Sequence, residues 1–359
     1  MPKQPGFFDL EDRYAELSKA GDPLEKLGNV VNFEAFRYRL NKALKRSDGS
    51  QGGRPAYDVV LMFKVLVLQS LYNLPDERTE FTIRDRLSFM RFLGIGVGDP
   101  VPDATTIWLF RDHLTQANAV EKLFARFELL LQEKGYLARS GQILDASLIA
   151  APRQHHTRAE KEAIKSGQSA DDIWPDEPAK AAQKDVDARW TVKFSAAKAR
   201  GDGSTPLDLA IPVFGYKNHI GIDQRYGLIR RWDVSSAAEH DSQKFVSLLD
   251  RSNTARDVWA DTAYRSKANE TLLAEGGFVS RIHRKKARGK AMSVSTAKAN
   301  NAKSRIRARV EHVFAVQKGT MGLFIRSIGL ARARTRIGLA NLTYNMKRLI
   351  YLNARVAPT

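Results

Sequence analysis

The sequence predicts an all-α N-terminal region over residues 1–138, followed by an α/β domain over residues 139–359 with a mixed five-stranded sheet and helices. Three observations lead there. Helical periodicity is the only pattern before residue 138. From Gly141 onward, short apolar runs alternate with helical ones. The basic charge is confined to the end of the chain: from Gly276 to Thr359 there are 19 Lys and Arg against one acid, Glu311. That span carries the whole net charge of +18, and the 39 bases and 39 acids of residues 1–275 cancel.

The elements follow in order. Residues 1–50 read as a helical lead-in, with a turn at Asp48-Gly49. Gly52-Gly53-Arg54-Pro55 reads as a hinge before a strongly apolar helix, Ala56 to Asn73. A second helix is expected from Thr82 to Leu93. A third is capped by Asp103, with Ile107, Trp108 and Phe110 as its apolar positions. A fourth runs from Val120 to Lys134. Short helices with tight connections can carry a helix-turn-helix, with Thr105, Thr106 and Arg111 on its outer face.

GQILDASLIAAP, from Gly141, is a strand with Asp145 in its middle. An acid inside an apolar strand is costly unless it is paired or metal-bound. Arg153 to Thr205 is polar and reads as a partly flexible insertion. Its His155-His156 pair lacks a third ligand at suitable spacing. Pro206 to Asp223 and Gly227 to Ser235 read as an antiparallel hairpin. Lys217 and His219 share one of its faces by period two, either within reach of a phosphate or on a solvated edge. Asp241 is the expected N-cap of the next helix. DVWADTAYRS is a short strand ending at Asp261, then a helix to Glu275 and a last strand from Phe278 to His283. A basic loop with Arg284, Lys285 and Lys286 leads into the helix of RIRARVEHVFAVQK. There, Arg307, Glu311 and Lys318 are expected on a shared face. A closing helix spans Ile337 to Leu352.

Composition narrows the function. A strongly positive region selects a polyanion, with nucleic acid the default. A lone carboxylate in that field repels phosphate unless a divalent cation lies between them. The chain has no Cys, which excludes disulfides and thiolate chemistry and fits a reducing cytosol. MPKQPGFFDLEDRY has no apolar signal core, and no run is long enough to span a membrane. A cytoplasmic, nucleoid-associated protein is the expectation.

The order of elements brings Asp145 and Asp261 to one sheet, with a helix able to carry Glu311 to the same edge. Three such carboxylates can hold two Mg²⁺ ions. Here the sequence resembles the bacterial insertion-sequence DDE transposases of the insertion sequence 5 family. GRPAYDVVLMFKVLVLQSLYNL, RDRLSFMRFLG and PDATTIWLFRDHL resemble that family's N-terminal region. ILDASLI, FGYKNHIGID, WADTAYRS and RARVEHVFAVQK resemble its catalytic blocks. The resemblance implies a ribonuclease H-like domain with a triad at Asp145, Asp261 and Glu311. It also implies two Mg²⁺ ions, with Mn²⁺ a possible substitute. Arg307 and Lys318 match the signature around the glutamate, whereas Ser304 stands in place of its tyrosine. The implied partners are terminal inverted repeats, target DNA and a second copy of the chain in the DNA complex. An extruded base would need an aromatic ring. Arg284 to Ser304 holds none, which leaves Tyr264 or Trp190. A repressor without catalysis and a nuclease without strand transfer are the alternative functions.

Overall fold

The computed structural model describes residues 6, 8–44, 55–195, 209–286, 289 and 291–356, without the side chains of 194, 195, 209 and 356. The expected turn at Asp48-Gly49 and the glycines of the hinge lie outside the described residues. The chain clusters into two compact units. The first comprises residues 1–136, 319–322 and 338–359, and the second residues 137–318 and 323–337.

The first unit is helical. Its helices are α1 (Asp9–Lys19), α2 (Pro23–Val30), α3 (Arg37–Leu44), α4 (Val59–Tyr72), α5 (Asp76–Asp85), α6 (Leu87–Leu93), α7 (Ala104–Gln116) and α8 (Ala119–Glu133). Helix α4 is buried nearly all round, as its unbroken apolar sequence requires. Asp58 caps it by accepting from Val60 N at 2.9 Å and Leu61 N at 3.0 Å. Asn73 ends it in the left-handed conformation, φ 51°. The single helix expected from Thr82 to Leu93 is two. Arg86 adopts an extended conformation between α5 and α6, which lets Ile83 and Phe89 both reach the core. Residues 338–356 cluster with this unit, although the expected boundary put them with the α/β part. Leu339, Leu342, Met346 and Leu349 are buried.

The second unit contains β1 (Gln142–Ala150), α9 (Arg158–Lys165), α10 (Ala170–Ile173), α11 (Pro178–Gln183), β2 (Arg189–Ser195), β3 (Leu209–Asp223) and β4 (Ile229–Ser236). It continues with α12 (Phe245–Leu248), β5 (Asp257–Trp259), α13 (Lys267–Glu275), β6 (Val279–Ser280) and α14 (Val294–Ala315). Helix α15 (Leu330–Val356) begins here and passes into the first unit at Gly338.

The sheet is mixed and has six strands, ordered β2-β3-β1-β5-β6, with β4 also on β3. The sixth strand, β2, arises within the stretch read as a flexible insertion. Its Thr191, Val192 and Lys193 alternate too little to be recognised alone; they become a strand by pairing antiparallel with Val213 to Ile211 of β3. Helices α9 to α11 occupy the same stretch, and α9 opens with a capping box between Thr157 and Glu160. Residues 196–205 of that expectation lie outside the described residues.

β1 is the pivot of the sheet. It is antiparallel to β3 and parallel to β5. Gly141, at φ 89°, lets the chain enter beside β5, because a Cβ there would lie 2.7 Å from the Asp257 carbonyl oxygen. Leu144, Phe245, Leu248, Val258, Ala260 and Tyr264 form the core beneath the β1–β5 pair.

Candidate catalytic site

In the β1–β5 pairing, Gln142 lies opposite Val258 and Ile143 opposite Trp259. Two places further on, the same register sets Asp145 beside Asp261. Parallel strands lie about 4.8 Å apart, so these two acids leave the sheet as neighbours. Asp145 is held by the middle of a strand, and its Oδ1 accepts from Ala146 N at 2.9 Å. Asp261 stands just past the end of β5. It caps the turn Thr262–Tyr264, accepting from Ala263 N at 2.8 Å.

Helix α14 packs Val310 and Val313 inward. One turn before Val310, Arg307 directs Nη1 at Asp145 Oδ2, 3.3 Å away. Burial raises the Asp145 carboxyl to about 7; Arg307 opposes this, and Asp261 and Asp241 add to it. The site thus contains repelling acids and a single arginine that offsets part of their charge. Glu311, one turn beyond Arg307, is exposed and shares no hydrogen bond or ion pair with either aspartate. No group of three His, Asp or Glu among the described residues is placed to hold a metal. The structure therefore sets Asp145 beside Asp261 and pairs Arg307 with Asp145, while Glu311 is exposed one turn further along the same helix. The donors that converge are carboxylate oxygens, and one of them is raised chiefly by burial, with a smaller contribution from Asp261. That chemistry suits a hard divalent cation, which relieves such repulsion.

Several other expected contacts are corrected. Lys217 and His219 share a face, as period two requires. Asp145 pairs with Ile220, however, so they lie on the opposite face of the sheet. Lys217 Nζ donates to Glu239 O at 2.7 Å and Asp241 Oδ1 at 2.8 Å. His219 is fully buried, 2.7 Å from Ser235 Oγ, and burial lowers its pKa to about 4. Neither is free for phosphate. Tyr264 is fully buried against Phe245 and cannot stack on a base; its hydroxyl has no partner among the described residues. Arg111 is occupied by Asp76, with both contacts at 2.7 Å. Lys318 does not continue the face of Arg307 and Glu311, because α14 ends at Ala315 and widens into a π turn over Val316–Thr320. Arg284, Lys285 and Lys286 are exposed, and Asn300 of α14 anchors their loop through Arg284 N and O at 3.1 and 3.0 Å.

Asp241 was missed as a site residue. It is not an N-cap: His240 holds that position, accepting from Ser242 N. Asp241 instead binds Lys217 and adds its charge to the field at Asp145. The only sequence signal was an acid beside two polar residues, His240 and Ser242, which any helix start resembles.

Residues 11–113 match the family model Transposase domain (DUF772), and residues 137–346 match Transposase DDE domain. No solved structure matches the chain. This is a DNA-cleaving and strand-transferring enzyme, of the class that moves bacterial insertion sequences. The chain belongs to the Transposase DDE domain family, whose model covers more than half its length. Membership implies a ribonuclease H-like fold, and the second unit has the corresponding mixed sheet with helices. Among the described residues, no single helix is long and apolar enough to cross a membrane.

Proposed function

We propose that the chain is a transposase of the insertion sequence 5 family, acting at the terminal inverted repeats of its own element. Its ligands to two Mg²⁺ ions, replaceable by Mn²⁺, are Asp145, Asp261 and Glu311. The observation that supports this reading is the parallel β1–β5 register, which carried two places on sets Asp145 beside Asp261, with Arg307 of α14 on Asp145. Two divalent ions supply, when bound, an activated water or 3′-hydroxyl and positive charge on the scissile phosphate.

The residues of the chain do the rest. Asp145 and Asp261 are each fixed through one oxygen by a backbone donor, so the other oxygen is pre-aimed at little cost in entropy, that of Asp145 meeting Arg307. Arg307 neutralises Asp145 in the absence of DNA and can turn to the phosphate when the acids gain other partners. Glu311 completes the set by moving inward with α14. Arg284, Lys285, Lys286 and Lys318 hold the DNA backbone, and the helical unit recognises the terminal repeat. A dimer pairs the two ends, and the protein works in the cytoplasm on the nucleoid.

The test is an assay with a pre-cleaved end and a plasmid target. Joined product supports the proposal. Cutting of an intact end without joining would reduce the chain to a nuclease, and binding without either to a repressor.

A further inference from the structure

A third polar side chain stands in line with the acid pair, one strand further along the sheet. β5 and β6 are parallel, with Val258 opposite Ser280. The ladder runs on past the end of β6: Arg281 N donates to Val258 O at 2.9 Å, and His283 N donates to Ala260 O at 3.1 Å. Three places beyond the Val258–Ser280 pair, His283 stands beside Asp261. Leu144, Ala260 and Ile282, which precede Asp145, Asp261 and His283, lie together in the core. Alternation along the strands turns the three polar side chains to the other face. Helix α14 crosses them there. Arg307 meets Asp145, and Ser304, one turn earlier, places Oγ 3.4 Å from His283 Nε2.

His283 is half-buried. Its Nδ1 has no partner among the described residues and is not sealed from solvent. Burial, Arg307 and Lys303 lower the pKa of the ring and Asp261 opposes them, so the imidazole is uncharged at neutral pH. That state suits its neighbour. Asp261 forms no ion pair among the described residues. A lysine in place of His283 would pair with that carboxylate and occupy it, whereas a neutral imidazole offers an N–H donor and leaves the carboxylate free. The exposed Arg284, Lys285 and Lys286 follow directly in sequence. The ring therefore links the acid pair to a basic loop, and a line of donors of this kind fits successive phosphates of one strand. Neighbouring strands are about 4.8 Å apart, so His283 is one short step from whatever the acids hold.

We infer that His283 binds DNA at this site: Ser304 Oγ–H donates to Nε2, and Nδ1–H donates to the phosphate next to the one seated at the acid pair. The inference deepens the proposed function and rests on it for the identity of the ligand. The bond forms to intact DNA and needs no metal.

The experiment uses the full chain in EDTA and a duplex carrying one end of the element. A single methylphosphonate, which removes the charge of one linkage, is moved along the strand. His283→Ala should weaken binding of the unmodified duplex about tenfold, and His283→Asn, whose amide nitrogen replaces Nδ1, by less than about threefold. A methylphosphonate at the linkage next to the cut should weaken wild-type binding as much as His283→Ala does, and the two changes together no more than either. Losses that add at every linkage, or coupling only at remote linkages, would overturn the contact. Asparagine no better than alanine would overturn Nδ1 as the donor. In Mg²⁺, His283→Ala should raise KM with kcat within about threefold of wild type; a fall in kcat at unchanged KM would refute a ground-state contact. Since a variant can misfold, the unaltered chain is also treated with diethyl pyrocarbonate. His283 should react in the free protein and be protected by bound DNA, read by peptide mass spectrometry. A ring that never reacts, or reacts equally with DNA bound, refutes the site. Additive losses alongside joined product would remove His283 from a working transposase. Coupling without joined product would keep the phosphate contact in a protein that only binds or cuts DNA.

Discussion

Arg307 Nη1 lies 3.3 Å from Asp145 Oδ2, joining the last long helix of the second unit to its first strand across 162 positions of sequence. Both side chains are largely shielded from water, so losing one leaves the other poorly satisfied. Arg307→Gln should destabilise the fold by about 1–3 kcal/mol, read by chemical denaturation. It should also slow cleavage more than Arg307→Lys does, since lysine keeps the charge. Equal cleavage by wild type and Arg307→Gln would confine the arginine to a structural role.

The metal-ligand assignment predicts that Asp145→Asn, Asp261→Asn and Glu311→Gln each lower Mg²⁺-dependent cleavage by roughly a thousandfold. DNA binding should persist or tighten, because each change removes negative charge near phosphate. EDTA should stop the wild type, and Mn²⁺ should restore it. Because Glu311 is exposed and makes no contact among the described residues with the aspartates, its variant is the most informative. Cutting by Glu311→Gln at the wild-type rate would remove it from the site.

DNA affinity should fall steeply with salt. Removing residues after Gly276 is not a clean test of the basic region, since residues 338–356 supply core to the helical unit. Substituting Arg284, Lys285 and Lys286 with Gln is cleaner, because all three are exposed. The log–log salt slope should become shallower by roughly two to three. An unchanged slope would place the DNA elsewhere.

His219 predicts a pH dependence of stability. Unfolded, it takes up a proton near 6.5; folded, burial defers this to about 4 despite the nearby Asp241 and Asp233. The unfolded state binds more protons between those values, so stability is full above 6.5 and declines as the pH falls toward 4. The loss is on the order of 3 kcal/mol. Thermal melts of His219→Gln across that window should show a flatter slope than wild type.

Arg111 should matter to the fold and not to DNA. Its fork onto Asp76 is mostly buried, so Arg111→Ala should cost about 3 kcal/mol while nonspecific DNA affinity holds. Weaker DNA binding at unchanged stability would restore the outward-facing role.

What the sequence by itself determined is what local pattern and chemistry carry. Asp145 was legible because an acid in the apolar run ILDASLI conflicts with its neighbours, and Asp261 because a strand pattern stops there. The Asp103 cap, the buried α4 and the confinement of charge around Glu311 needed no partner to be read. Tertiary structure alone decided what each polar group meets. Lys217 and His219 looked available until the pairing of Asp145 with Ile220 put them on the other face. Arg111 looked free until the fold brought Asp76 to it from 35 residues away. β2 became a strand only because β3 offered an edge, and residues 338–356 joined the helical unit only through packing. Periodicity reports which side of an element turns inward. It does not report which groups at a distance in the chain arrive there, and hydrogen bonds and ion pairs form with whatever does.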